Sequence, residues 1–412
     1  MEVKPGYKQT EVGLIPEDWK VKPLGSVLNK GRLGGNYPNQ DHETSYPLIK
    51  MGNIARGYID LSKVEYVSQG ITPLPDDRLR HGDVLFNTRN TLDLVGKVAV
   101  WRDELPVAYY NSNLMRLEFD PNEVCSHEYA NYTLNSSGGV ARLRALATGT
   151  TSVAAIYTRD LLKFPFIVPS FPEQHSISGA LSDVDALIGV LDRLIAKKRE
   201  LKQAAMQQLL TGQTRLPGFS GAWEVKRLGE VFSIFAGKSK SAFICVGGQY
   251  WVVDMGSVSI DGRLIVSKPT NYEGDFLKVG DLVMPKDDIG GGNIIGKVGY
   301  IDADKLYVLG DHVYCLRAQQ GDPLFLSYVI NAHRTNTALR KKVIGSAQLG
   351  LGRKSVEEQE IPFPMPEEQT AIAAVLSDMD AEIAAMEARR DKTRALKQGI
   401  MQELLTGRTR LM

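Results

Sequence analysis

The chain of 412 residues is long enough for two or three domains, and its 43% hydrophobic and 24% charged residues are typical of a soluble globular protein. The formal net charge of +1 excludes a strong overall attraction for polyanions, so any nucleic-acid binding has to come from local patches. Three isolated cysteines fit a reducing cytoplasm and offer no zinc-binding spacing, and neither a signal peptide nor a membrane span is predicted.

The first part of the chain has the pattern of mixed α/β structure. Short apolar or alternating runs between Gly, Asn, Asp and Pro predict strands at 46–51, 84–86, 95–100 and 114–119. Helical patterns follow at 128–134 and 140–146. Gly82-Asp83 predicts a structural turn before a buried strand, and Pro165 and Pro169 are expected to end this half and lead extended chain into a long helix.

That long helix is predicted from about Glu173 to Leu210, and Gly212 is a natural stop just beyond it. At a rise of 1.5 Å per residue it would be roughly 57 Å long. Two apolar rows repeat at heptad spacing, and together they are wider than a two-stranded coiled coil requires. The rows are Ile177, Val184, Leu191, Lys198 and Ala205, and beside them Leu187, Leu194 and Leu201.

The second part of the chain repeats the first. LLTGQTRL at 209–216 returns as LLTGRTRL at 404–411, and the aligned helical segments before these motifs need no gap. Further matches are WKVKPLGSV at 19–27 with WEVKRLGEV at 223–231, and LRHGDVLF at 79–86 with LKVGDLVM at 277–284. Helices are expected at 324–332 and 337–343, then Pro362, Pro364 and Pro366 before a second long helix from about Glu368 to the stop at Gly407.

The repeat predicts an α+β fold with two similar mixed α/β domains separated by two long helices. The expected boundaries are 1–171 and 213–365 for the domains, and 172–212 and 366–412 for the helices. An antiparallel pair of helices returns the chain to the first domain without a connection along the whole rod. We therefore expect an antiparallel coiled coil, pseudo-twofold symmetry, and N- and C-terminal segments that lie close together.

No catalytic constellation is visible in the sequence. The Gly-Lys-Ser at 237–239 lacks the upstream glycine of a phosphate-binding P-loop, because Phe232 occupies that position. The glycines at 290–292 and 296 miss the GxGxxG spacing, because Ile295 stands at its third site. Neither HExxH, GxSxG nor a methyltransferase motif of the Asn-Pro-Pro-Tyr type is present, and no metal site is predicted.

Two polar loops of the first half are candidates for nucleic-acid contact. Asn87, Thr88, Arg89 and Asn90 bring together amide, hydroxyl and guanidinium groups, which are the groups that recognise base edges, although a solvated turn explains the pattern equally well. The loop TGTTS at 148–152 offers hydroxyl and backbone N–H groups that can bind phosphates, or it is a simple turn. Its counterpart in the second half is the segment 345–348.

Further DNA-binding candidates are assigned by residue type and by position in the two halves. In the first half they are Arg32, Asn53, Asn113, Thr148, Thr150, Thr151 and Ser152. In the second half they are Lys238, Ser239, Lys240, Lys286, Asn293, His312, Lys341, Ser346, Gln348 and Arg353. Candidate partner-binding residues on the helices are Ile177, Val184, Leu191, Leu209, Ile372, Met379, Met386 and Leu404.

The duplicated helix motif, the WKVKPLG entry and the IPFPMPEEQ exit resemble the specificity subunit of type I restriction–modification systems over essentially the whole chain. The resemblance implies two target-recognition domains that each read one half of a split double-stranded DNA sequence, and helices that set the gap. It also implies docking of two methyltransferase subunits, followed by restriction–translocation subunits, in a cytoplasmic complex for phage defence. The chain would be non-catalytic, with S-adenosylmethionine, ATP and Mg²⁺ bound by the partner subunits and no cofactor of its own.

A function of a different class fits the same pattern. The chain would then be a coiled-coil adaptor with two protein-binding heads and no contact with DNA, which agrees with the near-neutral charge. Binding of the purified chain to random duplex DNA, with and without a methyltransferase, distinguishes the two functions. An orphan methyltransferase fails for lack of catalytic motifs.

Overall fold

The computed structural model of the protein describes residues 5–288, 291–345 and 349–411. The chain divides into two compact units. The first unit combines the segments Met1–Asp192 and Arg389–Met412, and the second consists of Arg193–Ala388. Each long helix therefore contributes one part to each unit.

The elements up to the first long helix are short strands with three short helices. The strands are β1 Tyr7–Thr10, β2 Gly13–Pro16, β3 Lys20–Pro23, β4 Leu28–Leu33, β5 Asn39–Gln40, β6 Pro47–Ile49, β7 Glu65–Val67, β8 Val84–Asn87, β9 Arg89–Asn90, β10 Val98–Val100, β11 Tyr109–Tyr110, β12 Leu114–Phe119, β13 Thr148–Gly149, β14 Ala154–Ala155 and β15 Pro165–Val168. The helices are α1 His127–Asn135, α2 Ser137–Ala145, α3 Thr158–Leu161 and the long α4 Phe171–Leu209.

The core of the first unit lies on a four-stranded antiparallel sheet in the order β10-β8-β12-β4. Val84 and Phe86 of this sheet share one hydrophobic cluster with Leu134 and Leu143 of α1 and α2. The same cluster includes the beginning of α4. A second sheet, β11-β6-β7-β5, covers a smaller cluster, and β15 pairs antiparallel with β3 beside the start of α4.

The second unit repeats this arrangement with fewer strands. They are β16 Glu224–Arg227, β17 Phe232–Ala236, β18 Tyr250–Val253, β19 Lys268–Thr270, β20 Leu282–Pro285, β21 Asp287–Asp288, β22 Gly299–Tyr300, β23 Tyr307–Leu309, β24 Val313–Ala318, β25 Leu349–Gly350 and β26 Glu360–Phe363. The helices are α5 Leu228–Val231, α6 Pro323–Asn331, α7 His333–Arg340, α8 Arg353–Glu357 and the long α9 Pro366–Leu405. The sheet β17-β24-β20-β22 corresponds to the central sheet of the first unit, and β16 pairs with β26 as β3 pairs with β15.

Most of the elements predicted from the sequence are present in the structure. The predicted strand at 114–119 and β12 have the same bounds, and the four short helices are displaced by a few residues. The strand predicted at 95–100 begins only at Val98, because Val95 closes a turn onto Thr91 and Gly96 has a positive φ of 74°. Pro165 begins β15 and Pro362 lies within β26, so extended chain leads into each long helix as predicted, and the missing N–H is tolerated in these two-stranded ladders.

The two long helices run antiparallel within each unit, as predicted. In the first unit Lys397 of α9 binds Asp185 of α4 at 2.6 Å, and Arg394 binds Asp192 at 2.8 Å. In the second unit Lys202 of α4 binds Asp380 of α9 at 2.6 Å. Positions rise along one helix as they fall along the other, and Gly212 and Gly407 take positive φ angles just past the helix ends.

The duplication extends to the side chains that hold the helix ends. In the first unit the buried Glu173 carboxylate accepts hydrogen bonds from Trp19 Nε1 at 3.1 Å and from Arg410 Nε at 2.7 Å. In the second unit the buried Glu368 carboxylate accepts from Trp223 Nε1 at 3.0 Å and from Arg215 Nε at 2.5 Å. The repeated LLTG motif at the end of each long helix therefore supplies the arginine that anchors the beginning of the other long helix.

Near these contacts, Tyr7 Oη donates to the Gly407 carbonyl at 2.9 Å, so the two segments of the first unit lie close together as expected. Among the described residues, no helix has both the length and the hydrophobicity that a membrane crossing requires.

Candidate nucleic-acid interface

A Gly-Asp turn sets the direction of the strand that leads to each candidate loop. Gly82 and Gly280 both have a φ of 87°, a left-handed conformation that glycine adopts without strain. Asp83 accepts a hydrogen bond from Arg80 N at 2.9 Å, and Asp281 accepts one from Lys278 N at 2.8 Å. The turn is structural in both units, as the sequence predicts.

A small three-stranded sheet brings the two candidate loops of the first unit together. β14 pairs antiparallel with β9 on one side, where Ala155 faces Arg89, and with β13 on the other, where Ala155 faces Thr148. Leu92 N also donates to the Thr151 carbonyl at 3.1 Å. Residues separated by about sixty positions in the sequence therefore form one surface.

The side chains of the first loop divide into buried and exposed groups. Asn87 is completely buried, and its Oδ1 accepts a hydrogen bond from Arg89 N at 3.2 Å. Thr88 is also buried, and its hydroxyl donates to the Asn113 carbonyl at 2.8 Å. Both side chains shape the loop from within. The Arg89 side chain is exposed and makes no hydrogen bond or ion pair with any described residue, so its guanidinium is free to bind a ligand.

The second loop presents hydroxyl groups at the end of a hairpin. Thr150 and Ser152 are exposed and lie 3.1 Å apart at their hydroxyl oxygens, and Thr150 Oγ1 accepts from Val153 N at 3.2 Å. Val153 and Tyr157 on either side of β14 are large apolar residues with 68% and 56% exposure. Sequence analysis missed these two residues, and only their exposure in the fold distinguishes them from core residues.

The second unit builds a related surface with other side chains. β21 pairs with β25, so Asp287 faces Gly350 and Asp288 faces Leu349. Asp287 accepts a close contact of 2.7 Å from the imidazole of His312, which has a positive φ of 61°. The Lys286 ammonium group lies 5.9 Å from the centre of the Tyr314 ring. Asn293 is exposed in the loop that follows, whereas Ser346 and Gln348 lie outside the described residues.

Several other candidates are engaged within the protein. Arg32 binds Asp76 at 2.5 Å and Asp77 at 3.0 Å, and the Asp76 pair holds the pKa of the guanidinium above its usual value. Asn53 is buried, and its amide nitrogen donates to the carbonyls of Asp60 and Lys63. These contacts give both residues a structural role in the isolated chain.

The remaining candidates of the second unit are scattered. Lys240 is 3% exposed and binds Asp275 at 2.8 Å, while Lys238 and Ser239 are exposed beside it. Lys341 is exposed at the end of α7. Arg353 binds Glu357 at 2.7 Å on α8.

The long helices bury most of the residues selected for partner binding. Ile177, Leu191, Leu209, Ile372 and Leu404 are each less than 8% exposed because they pack inside the chain. Val184, Met379 and Met386 are half-buried. The exposed large apolar residues of the helices are instead Phe171, Leu187, Val190, Leu194, Leu201, Val375 and Leu396. In the described parts of the chain, no group of three or more His, Cys, Asp or Glu residues could hold a metal ion.

Comparison with known proteins gives one consistent result. A family model described as "Type I restriction modification DNA specificity domain" matches residues 16–197 and again 221–393, which together make up most of the chain. The putative type I restriction enzyme MjaX specificity subunit of Methanocaldococcus jannaschii is 26% identical over 98% of this chain and 97% of its own length. The MjaVIII specificity subunit of the same organism is 25% identical over 98% and 96%.

The fold is also similar to that of solved proteins. The S subunit of a type I restriction-modification system from M. genitalium matches with a TM-score of 0.61 at 16% identity, over 98% of both chains. A chain from a structural study of complex assembly and conformational transition in a type I R-M system matches with a TM-score of 0.54 at 17% identity, over 95% of this chain and 99% of that one.

Proposed function

Because the chain belongs to the type I restriction–modification specificity subunits and not to the catalytic subunits of these systems, we propose that each of its two domains reads one half of a bipartite double-stranded DNA target. The recognition domains are 1–171 and 213–365, and the segments 172–212 and 366–412 hold them and set the unread gap. S-adenosylmethionine, ATP and Mg²⁺ are bound by the partner subunits and not by this chain.

One observation carries this proposal. The two units present different side chains from the same place on the same frame. After the Gly-Asp turn and its buried strand, the first unit presents the exposed Arg89 beside a hydroxyl-rich hairpin, and the second presents Lys286 and Asp287 beside β25. A frame shared by the two units, with exchanged polar groups, is what two domains that recognise different sequences require.

Arg89 is the best single residue for base recognition. Its guanidinium is exposed, lacks a partner among the described residues, and starts from a backbone that the buried Asn87 and Thr88 hold in place. A guanidinium can make two parallel hydrogen bonds to guanine in the major groove. In this proposal Asn87 and Thr88 position the loop, while Arg89 and the hydroxyls of Thr150 and Ser152 touch DNA.

The test is Arg89→Ala in the complete methyltransferase complex. Losing a bidentate base contact costs about 1–3 kcal/mol at one base pair. We expect relaxed specificity in one half-site only, measured by methylation of a library in which each half-site is randomised separately. Lys286→Ala should alter only the other half-site.

Arg159→Ala is the matched control, because Arg159 is exposed in the same unit and, among the described residues, binds only its neighbour Asp160. Equal weakening on every sequence, together with a shallower salt dependence, would make Arg89 a phosphate contact instead of a base contact. If neither Arg89→Ala nor Lys286→Ala alters methylation, the adaptor function without DNA contact gains support.

We also propose that the exposed apolar residues of the long helices dock the methyltransferase subunits. Leu187, Val190 and Leu396 lie in the first unit, and Leu194 and Leu201 lie in the second. In the first unit Leu396 lines a groove of about 560 Å³ together with Ala395, Gly399 and Ile400 of α9. Large apolar groups in such a groove are suited to a partner helix.

A further inference from the structure

A cavity of about 420 Å³ in the first unit belongs to none of the surfaces described above. One face of α2 lines the cavity with side chains from successive helical turns. The cavity is completed by the loop that contains Arg56 and by residues of α1 and α9. The lining residues are Arg56, Gly57, Tyr132, Asn135, Ser137, Val140, Ala141, Arg144, Lys397, Gln398 and Met401. None of these residues is acidic, and the volume falls in the range of small-molecule sites.

Arg56 is the unusual residue of this cavity. Its guanidinium is half-buried, and within the described parts of the chain its one hydrogen bond is from Nη2 to the Asp93 carbonyl at 3.3 Å, while Nη1 is buried without a partner there. No carboxylate of the described residues lies within ion-pairing distance. Burial, and then the neighbouring Arg144, lower the pKa of the Arg56 guanidinium. A desolvated cation without an anion is unfavourable, so an anion bound here would stabilise the site.

The other charged groups around the cavity leave an excess of positive charge. Arg144 donates to the same Asp93 carbonyl at 3.4 Å, so the two guanidinium groups converge, and Arg144 also lies 3.3 Å from the Asp93 carboxylate. Lys397 is paired with Asp185 at 2.6 Å. Lys97 is a further cation near Arg56: burial and then Arg56 lower the pKa of its ammonium group, while the Asp60 carboxylate raises it.

The corresponding turn of the second unit carries one acidic and one basic residue, Asp261 and Arg263. Ile54 bridges Ile59 in the first unit as Val258 bridges Leu264 in the second, and a left-handed glycine lies between the bridge partners in each case. The residue before that glycine is Arg56 in one unit and Asp261 in the other. Arg56 is therefore specific to the first unit and is not a requirement of the frame.

We propose that this cavity binds a phosphate group, with the guanidinium groups of Arg56 and Arg144 as its ligands. A guanidinium matches phosphate with two parallel hydrogen bonds, and the planar fork makes arginine better suited than lysine to this contact. The cavity has the volume of a small-molecule site, whereas the phosphates of duplex DNA lie along an extended surface. The shape therefore favours a phosphate carried by a small molecule, and the site is independent of how the loops read bases.

The test uses the full chain with inorganic phosphate and adenosine 5′-monophosphate as probes, at matched ionic strength in chloride. Binding is measured by calorimetry and by the rise in Tm, which follows the ratio of ligand concentration to Kd. We expect Arg56→Gln and Arg144→Gln each to weaken binding at least tenfold. Arg340→Gln is the matched control, since Arg340 ends α7 of the second unit as Arg144 lies at the end of α2, and it should leave binding unchanged.

A second measurement, binding of duplex DNA by the wild-type chain and by Arg56→Gln, identifies the source of the phosphate. If the small phosphates do not bind, but Arg56→Gln weakens duplex binding uniformly and reduces its salt dependence by about one phosphate contact, the ligand is the DNA backbone. Equal binding of phosphate by the wild-type chain and by Arg56→Gln, with an unchanged duplex salt dependence, overturns the proposal. Citrate binding as tightly as phosphate also overturns it, in favour of an acidic segment of a partner protein. The Arg89→Ala experiment is unaffected by any of these results.

Discussion

The two units use the same buried contacts and different exposed charges. Asp83 and Asp281 accept hydrogen bonds from the backbone in corresponding turns. Glu173 and Glu368 accept hydrogen bonds from tryptophan side chains at corresponding helix ends. In contrast, Arg89 corresponds to Asp287 and Arg56 to Asp261, so the charge reverses at exposed or half-buried positions. The comparison distinguishes residues that stabilise the shared fold from residues that can differ between the units and so determine which ligand each unit binds.

The largest expected effect concerns the exposed leucines that the duplication places at equivalent helix positions. Leu201 is 49% exposed in the second unit, and Leu396 is 55% exposed in the first. Leu201→Asp and Leu396→Asp should each remove one methyltransferase copy from the complex, because a carboxylate cannot be buried against an apolar partner surface. Native mass spectrometry of co-expressed subunits measures the change in stoichiometry.

Both variants should keep the Tm of the free chain, since the two side chains are already half exposed. A complex that keeps both methyltransferase copies in either variant would move the docking surface away from this row of leucines. Loss of both copies from a single variant would show that the two units do not dock independently.

The next effect concerns the buried carboxylates at the helix starts. The Glu368 side chain is 1% exposed and accepts hydrogen bonds from Arg215 and Trp223, while Glu173, 4% exposed, accepts from Arg410, Trp19 and also Ser170. Glu368→Ala and Glu173→Ala should each destabilise the chain by about 3 kcal/mol, the upper value for hydrogen bonds to a charged group. Urea denaturation followed by tryptophan fluorescence measures the free energy of unfolding.

Glu382→Ala is the control on the same helix as Glu368, because Glu382 is 54% exposed and Lys198 is its only ion-pair partner in the described parts of the chain. An exposed ion pair of this kind contributes about 0–1 kcal/mol. Should Glu368→Ala cost no more than Glu382→Ala, the anchoring contacts would not be the part of the frame that the duplication preserves.

The smallest effect tests the reversed charge at the cavity turn. Burial is the largest cause of the lowered pKa of both Lys97 and Lys297; Arg56 lowers the pKa of Lys97 further, whereas Asp261 raises that of Lys297. Arg56→Gln should therefore raise the pKa of Lys97, and Asp261→Asn should lower that of Lys297. Titration of ¹³C-methylated lysines by NMR measures both shifts. Shifts of the same sign would show that Arg56 and Asp261 do not occupy corresponding places.

The repeat and the helices could be predicted from the sequence because their signals are local and periodic. Heptad spacing, the glycine stops and the recurring LLTG motif were sufficient to place α4 and α9 within a few residues of their bounds. The alternating run at 114–119 predicted β12 for the same reason. The two-residue strands could not be predicted, because their existence depends on pairing with distant chain and not on their own pattern.

Only part of the candidate site could be predicted from the sequence. Sequence analysis selected the loop at Arg89 and the hairpin at Thr148 separately, but only the fold shows that both belong to one sheet. Arg32 and Lys240 were selected as cations, yet Asp76 and Asp275, far away in sequence, pair with them. The buried side of the wide apolar helix face was selected for partner binding, because periodicity does not reveal which row the chain itself covers.

The first unit is built from two separate segments of the chain, and this has a consequence for the order in which the two units fold. Its fold needs Arg389–Met412 as well as Met1–Asp192, whereas the second unit is the continuous segment Arg193–Ala388. During synthesis on the ribosome, the second unit has all of its residues first, while the start of α4 waits for Met401, Leu404 and the Arg410 guanidinium to reach Glu173. The segment synthesised first is thus completed last, and a nascent chain exposes the apolar start of α4 until its final helix has been made.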